Sequence, residues 1–144
     1  MSELNNIALE ILGNGKGILA ADESTATMTK RLDGVDVPST PENRLLFREI
    51  LFSSSSIRDC IGGVILYDET IKQISSKKNK IPELISSMGS HPGIKVDTGA
   101  KVLAGSPEEK ITEGLDGLRE RLKEYNKLGA KFTKWRGVYS ISEK

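Results

Sequence analysis

Three short stretches of this chain place ionisable side chains on or at the end of an apolar strand. Gly17-Ile18-Leu19-Ala20-Ala21 runs straight into Asp22, Glu23 and Ser24. Gly93-Ile94-Lys95-Val96-Asp97 carries a cation and a carboxylate two residues apart. Thr133, Lys134, Trp135 and Arg136 follow one another in a third such run. Strand alternation puts Lys95 and Asp97 on one face of their strand, and Lys134 and Arg136 on one face of theirs. A charge at the end of a buried strand is expensive to bury unless it has partners or a task. For any one of these residues a structural salt bridge is as good a reading as catalysis. Asp22, Lys95, Lys134 and Arg136, spread over three strands, favour an active-site rim. A cluster with several cations suits an anionic, phosphorylated substrate.

The elements that must position these groups follow from the apolar pattern. Leu4, Ile7, Ala8, Ile11 and Leu12 recur at helical spacing and stop at Gly13 and Gly15, an N-terminal amphipathic helix with a glycine stop. Residues 17–22 read as a strand buried on both faces. Residues 33–38 are turn-like, and Thr40-Pro41 starts a helix whose apolar face is Leu45, Leu46, Ile50 and Leu51. A serine run at 53–56 is a connector. Ile61-Gly62-Gly63-Val64-Ile65-Leu66-Tyr67 is a second strand, and 93–97 a third. Ser106-Pro107-Glu108-Glu109 has the capping-box pattern, which predicts a helix running to Leu128, with Gly114 and Gly117 able to delay its start. Residues 131–139 form a fourth strand. Strands opening near 17, 60, 93 and 131, with helices or long loops between, mean βα units and a parallel sheet. In a (β/α)₈ barrel the C-terminal strand ends form the face where catalytic groups gather.

Composition narrows the function classes. The 144 residues suit one domain with a real core, and a formal net charge of +1 gives no reason to expect nucleic acid or an anionic membrane as partner. No apolar run approaches a membrane span and no secretory signal is visible, so a cytoplasmic protein is expected. With one cysteine, Cys60, there is no intrachain disulfide, and with one histidine, His91, a zinc-type metal site is not expected. Cys60 reads as a small buried residue opening an apolar run. His91 reads as a surface residue in a turn before Pro92-Gly93. The run Lys77-Lys78-Asn79-Lys80 reads as solvated surface. Gly13-Asn14-Gly15-Lys16-Gly17 is not a nucleotide loop. It follows a helix and opens a strand, the reverse of a dinucleotide fingerprint, and glycine stands where a Walker motif needs Ser or Thr.

Five segments in order carry a specific resemblance. Gly15-Lys16-Gly17-Ile18-Leu19-Ala20-Ala21-Asp22-Glu23-Ser24-Thr25 resembles the first barrel strand of class I fructose-bisphosphate aldolase. Cys60-Ile61-Gly62-Gly63-Val64-Ile65-Leu66, Gly93-Ile94-Lys95-Val96-Asp97, Gly114-Leu115-Asp116-Gly117-Leu118 and Lys134-Trp135-Arg136 also resemble that family. The resemblance implies a (β/α)₈ barrel. It also implies reversible cleavage of fructose 1,6-bisphosphate into dihydroxyacetone phosphate and glyceraldehyde 3-phosphate, through a lysine Schiff base with no metal or other cofactor. By position, Asp22 would assist proton transfer and orient the substrate hydroxyls. Lys134 would be a catalytic lysine whose charge helps keep the Schiff-base amine deprotonated. Lys95 and Arg136 would hold substrate oxygens or phosphate, and Ser24, Lys30, Arg31 and Arg44 match positions linked to substrate or phosphate contact.

Length departs from that pattern. A complete barrel takes roughly 250 residues, and this sequence offers about four strands. The resemblance therefore implies the N-terminal part, residues 1–144, of a single barrel domain whose C-terminal half is missing. The Schiff-base lysine of the family has no counterpart here, so the chain alone is expected to be inactive. An alternative expectation is a non-catalytic half-barrel that acts by self-association or complementation. For the complete protein the resemblance implies a homotetramer.

Overall fold

The four apolar runs pair in the order they occur in the chain, except that a hairpin and a helix intervene before the last. A computed structural model describes residues 2–141. Helix α1 (Glu3–Leu12) precedes strand β1 (Gly17–Ala21), followed by α2 (Thr25–Asp33), α3 (Pro41–Phe52), the single turn α4 (Ile57–Cys60) and β2 (Ile61–Leu66). The short helices α5 (Asp68–Ile71) and α6 (Ile81–Ser87) lead to β3 (His91–Lys95). Then come β4 (Gly99–Leu103), β5 (Ser106–Glu113), α7 (Leu118–Lys127) and β6 (Phe132–Lys134). Strands β1, β2, β3 and β6 form one sheet in that order, parallel throughout, while β4 and β5 form a separate antiparallel hairpin. Among the described residues no helix is long and apolar enough to cross a membrane.

The register decides which side chains share a face. Ala21, Leu66, Ile94 and Thr133 lie level across the sheet, and so do Ala20, Ile65, Gly93 and Phe132. The first row faces the helices. Ala21, Val64, Leu66, Ile94 and Val96 join Phe52, Ile57, Ile71, Ile81, Ile85 and Tyr125 in the core. The second row faces away from the helices. There the Phe132 ring lies across β3, so close that a Cβ on Gly93 would stand 2.4 Å from it. One step further along the strands, this open face presents Asp22, Tyr67, Lys95 and Lys134.

Several sequence expectations are corrected. Ser106-Pro107-Glu108-Glu109 does not cap a helix; it opens β5, which pairs with β4 through the two-residue turn Ala104-Gly105. The helix starts only at Leu118, behind Gly114 (φ 129°) and Gly117 (φ 64°), whose backbones are closed to right-handed helix. The fourth strand spans three residues, so Arg136 lies beyond it. Strand β1 is not buried on both faces: it is the sheet's edge, and Ile18 is 44% exposed. Cys60 is exposed at the end of α4, its thiol donating to the Ser56 carbonyl at 3.0 Å. His91 is no turn residue. It opens β3 and its Nε2 lies 2.8 Å from Glu10 of α1.

Helix α3 departs from the expected burial. Of its expected apolar face only Leu45 packs against the core; Leu46, Ile50 and Leu51 are exposed, and the buried residues are Arg44, Arg48, Glu49 and Phe52. Residues 44, 48 and 52 are one helical stripe, so the two arginines belong to the packed face. Neither α2 nor α6 was expected from the apolar pattern. Each is nevertheless started by a local signal, the Ser24 side chain accepting from the Thr27 N–H in α2 and Pro82 in the first turn of α6.

Candidate active site

A cleft of about 520 Å³ opens at the C-terminal ends of β1, β3 and β6. This is the end of a parallel barrel sheet where reacting groups collect, because the loops that follow each strand meet there. Asp22, Ser24, Arg31, Lys95, Lys134 and Arg136, six of the eight residues singled out in the sequence, line it. Lys30 stands exposed on α2 and does not. Arg44 is buried behind the cleft. Its guanidinium donates to both carboxylate oxygens of Glu69, at 2.9 and 2.5 Å, and to the Ser39 carbonyl at 2.6 Å.

Two cation–carboxylate pairs make up the floor. The Lys134 Nζ donates to Asp22 Oδ2 at 2.5 Å, joining the first strand to the last across the open face. The Lys95 Nζ donates to Asp97 Oδ1 at 2.8 Å and to the Asp97 carbonyl at 2.9 Å. Asp97 Oδ2 accepts the Arg136 backbone N–H at 3.3 Å, which fixes the segment beyond β6. Burial pushes the Asp97 carboxyl up. The Lys95 hydrogen bond and charge, with the Arg136 N–H, outweigh it and hold the group below the usual carboxylate range. The rim is polar as well. Ser24 caps α2, and Arg31 of α2 pairs with Glu23.

Asp97, Glu23 and Tyr67 line the cleft without having been assigned to it from the sequence. The signal for Asp97 was present in its two-residue spacing from Lys95. Tyr67 carried none, since it ends an unbroken apolar run. An apolar groove between α7 and β6, lined by Ile94, Leu122, Tyr125 and Phe132, brings together no acid–base pair.

A family model described as class-I fructose-bisphosphate aldolase matches residues 3–144. The chain belongs to that family. It is 48% identical over 143 residues to a probable class 1 fructose-bisphosphate aldolase of Xanthomonas campestris pv. campestris, covering 99% of this chain and 43% of that protein. It is 50% identical to the human fructose-bisphosphate aldolase C, covering 99% of this chain and 39% of that one. A co-crystal structure of the Plasmodium falciparum aldolase, in a ternary complex with TRAP and a small-molecule inhibitor, superposes with a TM-score of 0.89 at 46% identity. It matches 93% of this chain and 39% of that one. The chain thus spans about two fifths of the length of the aldolases it matches. Its four parallel strands and their helices correspond to part of the aldolase barrel.

The Asp97 pair makes the stability of this aldolase segment pH-dependent. The folded-state pKa lies below the unfolded value, so the stabilisation is fully present above the unfolded value near 3.8 and is lost as the pH falls through the folded one. Asp97→Asn removes that dependence. Urea unfolding of the two proteins should show the largest gap at neutral pH, narrowing on acidification below about pH 4. A gap that is constant with pH would rule out the linkage.

Proposed function

We infer that this chain contributes the Asp22, Lys95, Lys134 and Arg136 part of a Schiff-base aldolase site. In the complete enzyme that site would cleave fructose 1,6-bisphosphate reversibly into dihydroxyacetone phosphate and glyceraldehyde 3-phosphate, a cytoplasmic step of glycolysis and gluconeogenesis. The observation that carries this reading is the 2.5 Å contact between Lys134 and Asp22 in a cleft lined by three further cations, Lys95, Arg136 and Arg31. Asp22, hydrogen-bonded and at the strand end, is the group for proton transfer at the substrate hydroxyls. Lys134 keeps a positive charge beside the reacting carbon and disfavours protonation of a neighbouring amine. Lys95 and Arg136 supply the charge for substrate oxygens or phosphate, with Ser24 and Arg31 at the rim. Arg44, enclosed by Glu69 and Ser39, and Lys30, exposed on α2, match family positions linked to substrate or phosphate contact but stand outside this cleft.

By the same family resemblance, the amine that forms the Schiff base lies in the part of the barrel that this sequence does not span. Borohydride reduction in the presence of dihydroxyacetone phosphate, followed by intact-mass measurement, tests this. The 144-residue chain should keep its mass; a stable adduct would show that one of its own lysines is the nucleophile. The complete protein is proposed to be a homotetramer. The half-barrel reading, in which the chain acts only by association, leaves the two ion pairs of the cleft without a task.

A further inference from the structure

Two arginines from the helix layer reach past the sheet to backbone carbonyls next to the cleft carboxylates. Arg48 of α3 is fully buried, and its Nη2 donates to the Glu23 carbonyl at 2.5 Å, one residue beyond Asp22. Its Nη1 donates to the Thr70 hydroxyl at 2.8 Å. The carboxylates of Glu23 and Glu69 lie 3.8 and 4.0 Å away. Arg121 of α7 does the same for the other pair. Its Nη1 donates to the Val96 carbonyl at 2.9 Å, one residue before Asp97, and its Nη2 to the Gly114 carbonyl. Both carbonyls sit just past the last ladder residue of a strand, where a parallel sheet offers no partner and a buried acceptor must be satisfied otherwise.

A buried guanidinium is a poor device for stability alone. Burial is the main influence on Arg48, opposed by Glu23 and Glu69, and an apolar residue of the same volume often serves a core as well or better. What the guanidinium adds is position. Its planar fork fixes two acceptors at once, and a reacting group must be held to within about half an ångström to work. We propose that Arg48 and Arg121 are positioning residues, each clamping the backbone beside one carboxylate so that Asp22 meets Lys134 and Asp97 meets Lys95. Neither touches the open cleft. Each acts through the carbonyl it holds. The proposal rests on the reading of the cleft as the aldolase site, but its test involves no turnover, so its failure is distinct from failure of the Schiff-base reading.

The test uses the 144-residue chain with nitrogen-15 lysine, whose ion-paired ammonium groups give exchange-protected NMR signals. Those of Lys134 and Lys95 are assigned by K134R and K95R. The expected result is selective. R48M speeds solvent exchange of the Lys134 ammonium by roughly tenfold, the scale of one lost charge-assisted hydrogen bond, and leaves Lys95 unchanged. R121M does the reverse. If a methionine variant does not fold, R48K or R121K, which keeps the charge but reaches one acceptor in place of two, is read the same way. Equal loss of both signals in either variant would make the arginines general supports of the fold and overturn the proposal. So would unchanged exchange in a folded variant.

Discussion

Replacing Lys134 by methionine lowers the turnover of fructose 1,6-bisphosphate by roughly 10²–10⁴-fold in a complete aldolase carrying this segment. Methionine keeps the length and apolar stem of lysine and removes only the charge. Lys134 is part-exposed on the open face of the sheet, away from the helix-side core, so the fold does not depend on it. What is lost is the cation 2.5 Å from Asp22 and, on the proposed reading of the cleft, the charge that would stand beside the reacting carbon. Asp22→Asn should cost a similar factor for the same reason: it leaves Lys134 without its carboxylate. Because the two residues act as one unit, the double variant should be little worse than the poorer single one. Steady-state kinetics of the three variants decide the matter. Effects that multiply would show that the two residues act independently and not as one unit, and a loss of less than about tenfold in both single variants would remove the pair from the chemistry.

The two residues were legible in the sequence because they fall within or at the end of strand-like runs, where a charge has to be explained. Arg48 was not. In the linear pattern α3 has an apolar face at Leu45, Leu46, Ile50 and Leu51, and arginine belongs to the solvent side. The structure keeps only Leu45 of that face against the core and buries the stripe of Arg44, Arg48 and Phe52, since the loop after β1 and the helix after β2 bring Glu23, Glu69 and Thr70 to meet it. Charge partners contributed by distant segments leave no periodic trace. The hairpin failed for another reason. Ser106-Pro107-Glu108-Glu109 is a strong local helix signal, and Gly105 before it and the β-branched Ile111 and Thr112 after it oppose it only weakly. The competing signal is the pairing of β5 with β4, together with two glycines at positive φ that stop a helix from spreading into α7. The hairpin pairing outweighs a capping box worth about 1 kcal/mol. The parallel sheet, by contrast, followed from the alternation of strands with helices or long loops, because βα units return each strand in the same direction.

Gly62→Ala should be the most damaging single-methyl addition in the chain. A Cβ at Gly62 would stand 1.9 Å from the Ile11 carbonyl oxygen, 2.6 Å from its carbon and 2.9 Å from its Cα. All three are backbone atoms, so no side-chain rotation relieves the clash. Glycine inside a buried strand marks such close approach, here of α1 against β2. Either β2 shifts, which disturbs its ladders to β1 and β3, or α1 lifts away and takes buried Ile11 with it. Overpacking of this kind destabilises by about 1–3 kcal/mol, and a backbone-to-backbone clash belongs at the upper end. Gly13→Ala is the matched control, since nothing lies within 4 Å of its Cβ and its φ of −65° suits alanine. It should change stability little, or raise it slightly through the unfolded chain. Urea midpoints give the size of the effect, and hydrogen exchange over residues 3–12 separates the two routes. If α1 lifts, those amides exchange faster while β2 stays protected; if β2 moves, protection falls along 61–66 as well. An unchanged midpoint with unchanged protection in both segments would mean that α1 does not pack on β2 as described.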